Sequence, residues 1–119
     1  MHETIVVSLP AAFALRDGEK QAFPAGEFDV LVCRVQGTLY AVENRCSHAA
    51  NALCGGGMRG FVISCPLHGA QFDVRDGKHK SRPAMTGIRS FPITESSGVA
   101  HVEVPARKPL PDCGGGAQP

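Results

Sequence analysis

Residues 44–73 read NRCSHAANALCGGGMRGFVISCPLHGAQFD, and this stretch decides how the chain must fold. It holds Cys46-Ser47-His48, then sixteen intervening residues, then Cys65-Pro66-Leu67-His68. Each half offers one thiolate and one imidazole, separated by a single residue in the first half and by two in the second. Gly55-Gly56-Gly57, Gly60 and Gly69 supply permissive backbone for tight loops beside them. Donors so placed act together when the fold lays the two loops side by side.

The flanking segments read as short strands. Thr4–Leu9, Phe28–Val35 and Thr38–Glu43 are rich in Val, Ile, Phe and Tyr and are punctuated by Gly or Pro. Gln36-Gly37 predicts a hairpin turn between the second and third. Residues 60–64, 70–74, 87–94 and 99–104 predict further strands, with Arg75-Asp76-Gly77-Lys78 and Ser96-Ser97-Gly98 as turns. Residues 11–15, between Pro10 and Asp17-Gly18, leave room for little more than one helical turn. The spacing is that of an all-β domain.

A length of 119 residues suits one domain, and 43% apolar with 19% charged residues is an ordinary globular balance. One folded unit is expected over residues 1–105. From Pro105 onward the Pro/Gly-rich composition predicts a loose tail over 106–119, because it buries too little to offset the entropy of ordering. No apolar run approaches the roughly 18–20 residues of a membrane span. The start, Met1-His2-Glu3-Thr4, lacks the basic flank and apolar stretch of a secretory signal. A cytoplasmic location is expected, where five cysteines, an odd number, read as metal ligands or small buried side chains before disulfide partners.

A net charge of +1 argues against a general nucleic-acid binder. The charge is unevenly placed: residues 1–40 carry three Lys/Arg against five Asp/Glu, whereas 41–92 carry seven against three. The positive excess therefore coincides with the Cys/His stretch.

Any set of two cysteines and two histidines can hold a single zinc ion. A zinc finger usually groups its cysteines and then its histidines around helix-forming sequence, whereas Cys46, His48, Cys65 and His68 form mixed pairs on Gly-rich loops. Mixed pairs suit a [2Fe–2S] cluster with both cysteines on one iron and both histidines on the other. Backbone N–H groups of the loops could then donate to sulfur.

On these residues the chain resembles the Rieske family, whose pattern Cys-x-His, a spacer of about this length, then Cys-x-x-His, is matched without a gap. The resemblance extends through Asn44-Arg45-Cys46-Ser47-His48 and through Cys65-Pro66-Leu67-His68-Gly69-Ala70-Gln71-Phe72-Asp73. Arg82-Pro83-Ala84 stands where family members carry a proline-containing loop over the cluster. Over roughly residues 2–105 the resemblance implies a Rieske fold: stacked antiparallel sheets, a small cluster-binding subdomain, and histidine edges facing solvent at one tip.

High-potential members of the family add a cysteine to each loop and place serine and tyrosine hydroxyls near sulfur. Here positions 49–51 are Ala-Ala-Asn, Leu67 precedes His68, and Ala70 and Phe72 stand at the hydroxyl positions. Fewer donors to sulfur imply a potential toward the lower part of the roughly −150 to +300 mV Rieske range. The resemblance implies a ferredoxin with no catalysis of its own. It would pass single electrons from a flavoprotein NAD(P)H reductase to a terminal Rieske oxygenase, as in aromatic-ring-hydroxylating systems. The alternatives are a Rieske-like small subunit of a larger enzyme such as a nitrite reductase, and a structural zinc domain.

Other candidates have plainer readings. Cys33 sits in an apolar strand and is expected to be a small buried side chain. Cys54 is expected to pack under the Gly-rich loop, and Cys113 is incidental on the tail. His2, His79 and His101 lack a partner at ligand spacing. Asp17 and Glu19 are expected to face solvent.

Overall fold

The computed structural model describes residues 3–46, 52–66, 69–81 and 87–107. Among them are eleven strands and one 3-10 turn. The strands are β1 (Thr4–Leu9), β2 (Lys20–Ala25), β3 (Phe28–Val35), β4 (Thr38–Glu43), β5 (Met58–Arg59) and β6 (Val62–Ser64), followed by β7 (Gln71–Asp73), β8 (His79–Ser81), β9 (Ser90–Phe91), β10 (Ile93–Ser96) and β11 (Val99–Pro105). They form three antiparallel sheets in the orders β1-β11-β10, β2-β3-β4-β9 and β5-β6-β7-β8. The first three predicted strands match β1, β3 and β4 residue for residue. Residues 11–15 correspond to the 3-10 turn Pro10–Ala14, led by proline at its first position.

Differences from expectation have local causes. The predicted strand 87–94 is two strands in different sheets, β9 and β10, because Pro92 has no N–H to continue one ladder. Strand β2 was not expected: Lys20, Gln21 and Pro24 dilute its pattern, and the proline is tolerated because β2 is a sheet edge. Strands β5 and β8, of two and three residues, leave no periodicity to read. The Gln36-Gly37 turn is as predicted, with φ of 53° and 84°, both left-handed as a two-residue hairpin turn requires.

The second sheet is the middle layer. Along β3 alternate side chains enter different cores. Phe28, Val30 and Val32 pack with Leu9, Ala100, Val102 and Val104 of the first sheet. Leu31, Cys33 and Val35 pack with Ile63, Phe72 and Val74 of the third. Burial on both faces explains why β3 is an almost unbroken apolar run. The third sheet is made of strands too short to sustain themselves. Its cohesion comes from Leu53, Ile63, Phe72 and Val74, each worth about 1.5–3 kcal/mol when fully buried against the middle layer. Arg34, half-buried on β3, ties the middle layer to its surroundings by donating to the carbonyls of Phe13, Leu15 and Gly37 and to both carboxylate oxygens of Glu95. Ala106 N donates to Glu3 O at 2.8 Å, extending the β1–β11 pairing. The part of the expected tail from Lys108 onward lies outside the described residues.

Candidate metal centre

Two loops leave the same end of the third sheet and the adjoining middle layer. One joins β4 to β5 and carries Cys46; the other joins β6 to β7 and begins at Cys65. Both cysteine side chains are buried, at 1% and 2% exposure, and both belong to the core shared by the middle and third sheets. Neither is in a disulfide. His48, His68 and the segment Arg82-Pro83-Ala84 lie outside the described residues. Among the described residues no group of three or more His, Cys, Asp or Glu gathers as a metal site.

The second loop is closed by its own backbone. Cys65 N donates to Ala70 O at 2.7 Å and Gly69 N donates to Cys65 O at 3.0 Å. Gly69 has φ of 76°, which a residue with a side chain adopts at a cost. Ala70 and Phe72 are fully buried as the chain enters β7.

The first loop is closed by a side chain. Asn44 is 6% exposed, and its Oδ1 accepts hydrogen bonds from Leu53 N and Cys54 N, both at 2.8 Å. Its Nδ2 donates to Asp29 Oδ2 at 2.8 Å, and its backbone N donates to Asp29 O at 2.8 Å. One carboxamide thus fastens both ends of the segment carrying Cys46 to strand β3. In the sequence Asn44 stands only as part of a motif; an Asn beside a candidate Cys/His pair, ahead of a Gly-rich return, was the available signal.

The loops touch at Gly56. A Cβ built there would sit 1.7 Å from Ser64 O, so the backbone of the first loop lies directly on the residue before Cys65. Ser64 N donates to Gly57 O at 3.0 Å, lacing the two together, while Gly56 N donates to Leu53 O at 2.9 Å within the first loop. Gly55 and Gly57 have no such constraint.

Beyond the loops, Asp73 on β7 is buried, and its carboxylate accepts from Arg75 Nε at 3.0 Å, Arg75 Nη2 at 2.7 Å and Arg75 N at 2.9 Å, with Lys80 Nζ at 3.9 Å. Hydrogen bonds from the Arg75 side chain are the main reason its carboxyl is held below the ordinary range; burial opposes them. The Arg75 guanidinium lies 4.0 Å from the centroid of Phe61, which meets Tyr40 edge-on at 5.8 Å, linking the third sheet to the middle one. Arg59 pairs with Val62 at the turn end of its hairpin, three residues before Cys65, whereas Arg45 directly precedes Cys46.

The remaining candidates fall as follows. Cys33 is buried as expected, and burial pushes its thiol up to about 12. Cys54 does not pack under the loop. It is exposed, because Leu53, its neighbour in the Asn44 clamp, takes the inward place. His79 is exposed, and His101 Nδ1 lies 3.3 Å from Ser8 Oγ on the paired strand. Asp17 is exposed yet accepts from Gly37 N at 2.7 Å. His2 and Cys113 lie outside the described residues.

Comparison with known proteins matches this architecture. Residues 6–92 fit the family profile described as Rieske [2Fe-2S] domain. The chain is 42% identical over 79 residues to the ferredoxin component of biphenyl 2,3-dioxygenase from Rhodococcus jostii (strain RHA1), covering 66% of this chain and 74% of that one. It superposes on the ferredoxin of carbazole 1,9a-dioxygenase from Nocardioides aromaticivorans IC177 with a TM-score of 0.73 at 31% identity, covering 82% and 92% of the two chains. With a chain from a complex of reduced oxygenase and oxidised ferredoxin in carbazole 1,9a-dioxygenase the TM-score is 0.78 at 30% identity, covering 90% and 98%.

Proposed function

This chain belongs to the Rieske [2Fe–2S] domain family and carries that family's cluster, and from that premise we propose that it is a ferredoxin passing single electrons to a terminal Rieske oxygenase from a flavoprotein NAD(P)H reductase. It carries electrons and does no chemistry on a substrate of its own, as the ferredoxin components it resembles do. The observation that supports the reading most is the extent of the match to a ferredoxin found in complex with its oxygenase.

Cys46, His48, Cys65 and His68 are the proposed ligands. The two described members fit: neither is in a disulfide, and both are buried in one core on loops that touch at Gly56. When bound, the cluster supplies a centre that takes up and releases one electron. Leu53, Ile63, Phe72 and Val74 pack into the same core as the two thiols and exclude water from that side, while Gly69 and Ala70 close the second loop. Ala70 and Phe72 offer no hydroxyl, which supports a potential in the lower part of the family's range. No helix among the described residues is long and apolar enough to cross a membrane. Cysteines outside disulfides suit a reducing compartment, which supports a cytoplasmic carrier. Residues 1–105 form the carrier module and 106–119 its tail.

The test is the EPR spectrum of the anaerobically purified, dithionite-reduced protein. A rhombic signal with average g below that of all-cysteine clusters is expected. Cys65→Ser should abolish or cripple assembly, and His68→Cys should keep a cluster of lower potential. A colourless, zinc-loaded protein, or a normal cluster in Cys65→Ser, would overturn the assignment.

A further inference from the structure

We propose that Asn44, locked by Asp29, is a positioning residue for the cluster: its carboxamide fastens both ends of the first ligand loop and so sets where Cys46 stands. The proposal rests on the ligand assignment above and adds a residue that is not itself a ligand.

The chemistry of the contacts leaves Asn44 one orientation. Leu53 N and Cys54 N are donors and need an oxygen, so Oδ1 faces them. Asp29 Oδ2 is an acceptor and needs a donor, so Nδ2 faces it. Rotating the amide would break all three bonds. Asp29 is fixed in turn by its place on β3, where its backbone carbonyl also accepts from Asn44 N. The loop between Arg45 and Ala52 therefore begins and ends on one rigid strand of the middle layer.

This fixes more than the loop ends. Cys46 follows the clamp by two residues, and Leu53, inside the clamp, is fully buried in the same core as Cys46 and Cys65. Gly56, three residues after Leu53, bears on Ser64 and so on the second loop. Without the carboxamide, a buried N–H at Leu53 loses its partner, and the loop keeps only the Cys46 side of its attachment. Residues that orient metal ligands without touching metal commonly change affinity by about 10–100-fold when replaced.

The residue types also dictate a test. Asn44→Asp keeps the size of the side chain and both bonds to the loop, but sets its carboxylate against that of Asp29. Asn44→Asp combined with Asp29→Asn restores a donor facing an acceptor, with the roles exchanged. The exchanged variant keeps the wild-type total charge of the pair and moves it to position 44 beside Cys46, so recovery in it shows that the defect of the single variant comes from the lost donor–acceptor contact and the repulsion between the two carboxylates, not from a carboxylate at position 44 as such.

The experiment measures, on the reduced holoprotein, the EPR g values and linewidths, and separately the rate of iron release to a ferrous chelator. Asn44→Asp should broaden the spectrum and release iron about tenfold faster than wild type. The exchanged double variant should recover most of both. A single variant with wild-type g values and iron retention, or an exchange that recovers neither, overturns the positioning role even if both variants melt lower. A wild-type chain that assembles no Rieske cluster overturns the carrier reading and this one with it.

Discussion

Replacing Gly56 by alanine would put a methyl carbon 1.7 Å from Ser64 O and 2.9 Å from Ser64 C, where real Cβ atoms essentially never approach closer than 3.0 Å. The two loops must part by about 1.3 Å, the gap between those oxygen distances. Both sides of the contact are backbone, so no side chain can swing away. Overpacking of this kind costs about 1–3 kcal/mol. The bond from Ser64 N to Gly57 O spans the contact and that from Gly56 N to Leu53 O closes the first loop beside it, and losing them adds about 0.5–1.5 kcal/mol each. The combined loss of about 2–6 kcal/mol is a large share of the about 5–15 kcal/mol that holds an ordinary domain together. At about 4–8 °C per kcal/mol for a small domain, Gly56→Ala should melt at least about 8 °C lower. Because Ser64 immediately precedes Cys65, iron content should fall as well. The neighbours serve as controls: Gly57 has nothing within 4 Å, and Gly55 meets only Pro66 Cγ at 4.0 Å. Thermal melts and iron-to-protein ratios of Gly55→Ala, Gly56→Ala and Gly57→Ala should single out the middle position. A Gly56→Ala protein that melts with wild type and holds full iron would refute the contact between the loops.

Asp73 makes stability depend on acid. Its folded carboxyl titrates below the ordinary 3.8, so its contribution is complete above that value and is lost as pH falls through the lower, folded one. In urea titrations from neutral pH downward, the gap between wild type and Asp73→Asn should close in this acid range; a constant gap would contradict the ion pair with Arg75. Thiol chemistry should separate the cysteines: Cys54 is exposed and should alkylate in the native protein at pH 8, whereas Cys33, pushed to about 12 by burial, should label after unfolding. Peptide mapping showing native label on Cys33 would contradict its burial in the core. Phe72→Tyr returns a hydroxyl at a position where the family resemblance puts a donor to sulfur, and should raise the midpoint potential by tens of millivolts. An unchanged potential would show that position 72 does not reach the cluster.

Much of the architecture was legible because it is local. Runs such as Phe28–Val35 announce their burial by composition, and Gln36-Gly37 announces a turn by its tolerance of left-handed backbone. What was not legible depended on neighbours distant in the chain. β2 exists because β3 offers it a partner, despite Pro24. The exposure of Cys54 follows from a clamp whose members, Asp29, Asn44 and Leu53, are spread over three segments.

The sequence by itself determined the family and supplied the proposed ligand set, because the identity and spacing of Cys46, His48, Cys65 and His68 are covalent facts that need no fold to read. The tertiary structure decided what holds the loops in register: Asn44 against Asp29, Gly56 against Ser64, and a third sheet of very short strands kept in place by the core it shares with β3. Those contacts join residues between eight and fifteen positions apart or on different sheets. A pairing of that kind has no period in the chain and exists only once hydrophobic burial has brought the layers together.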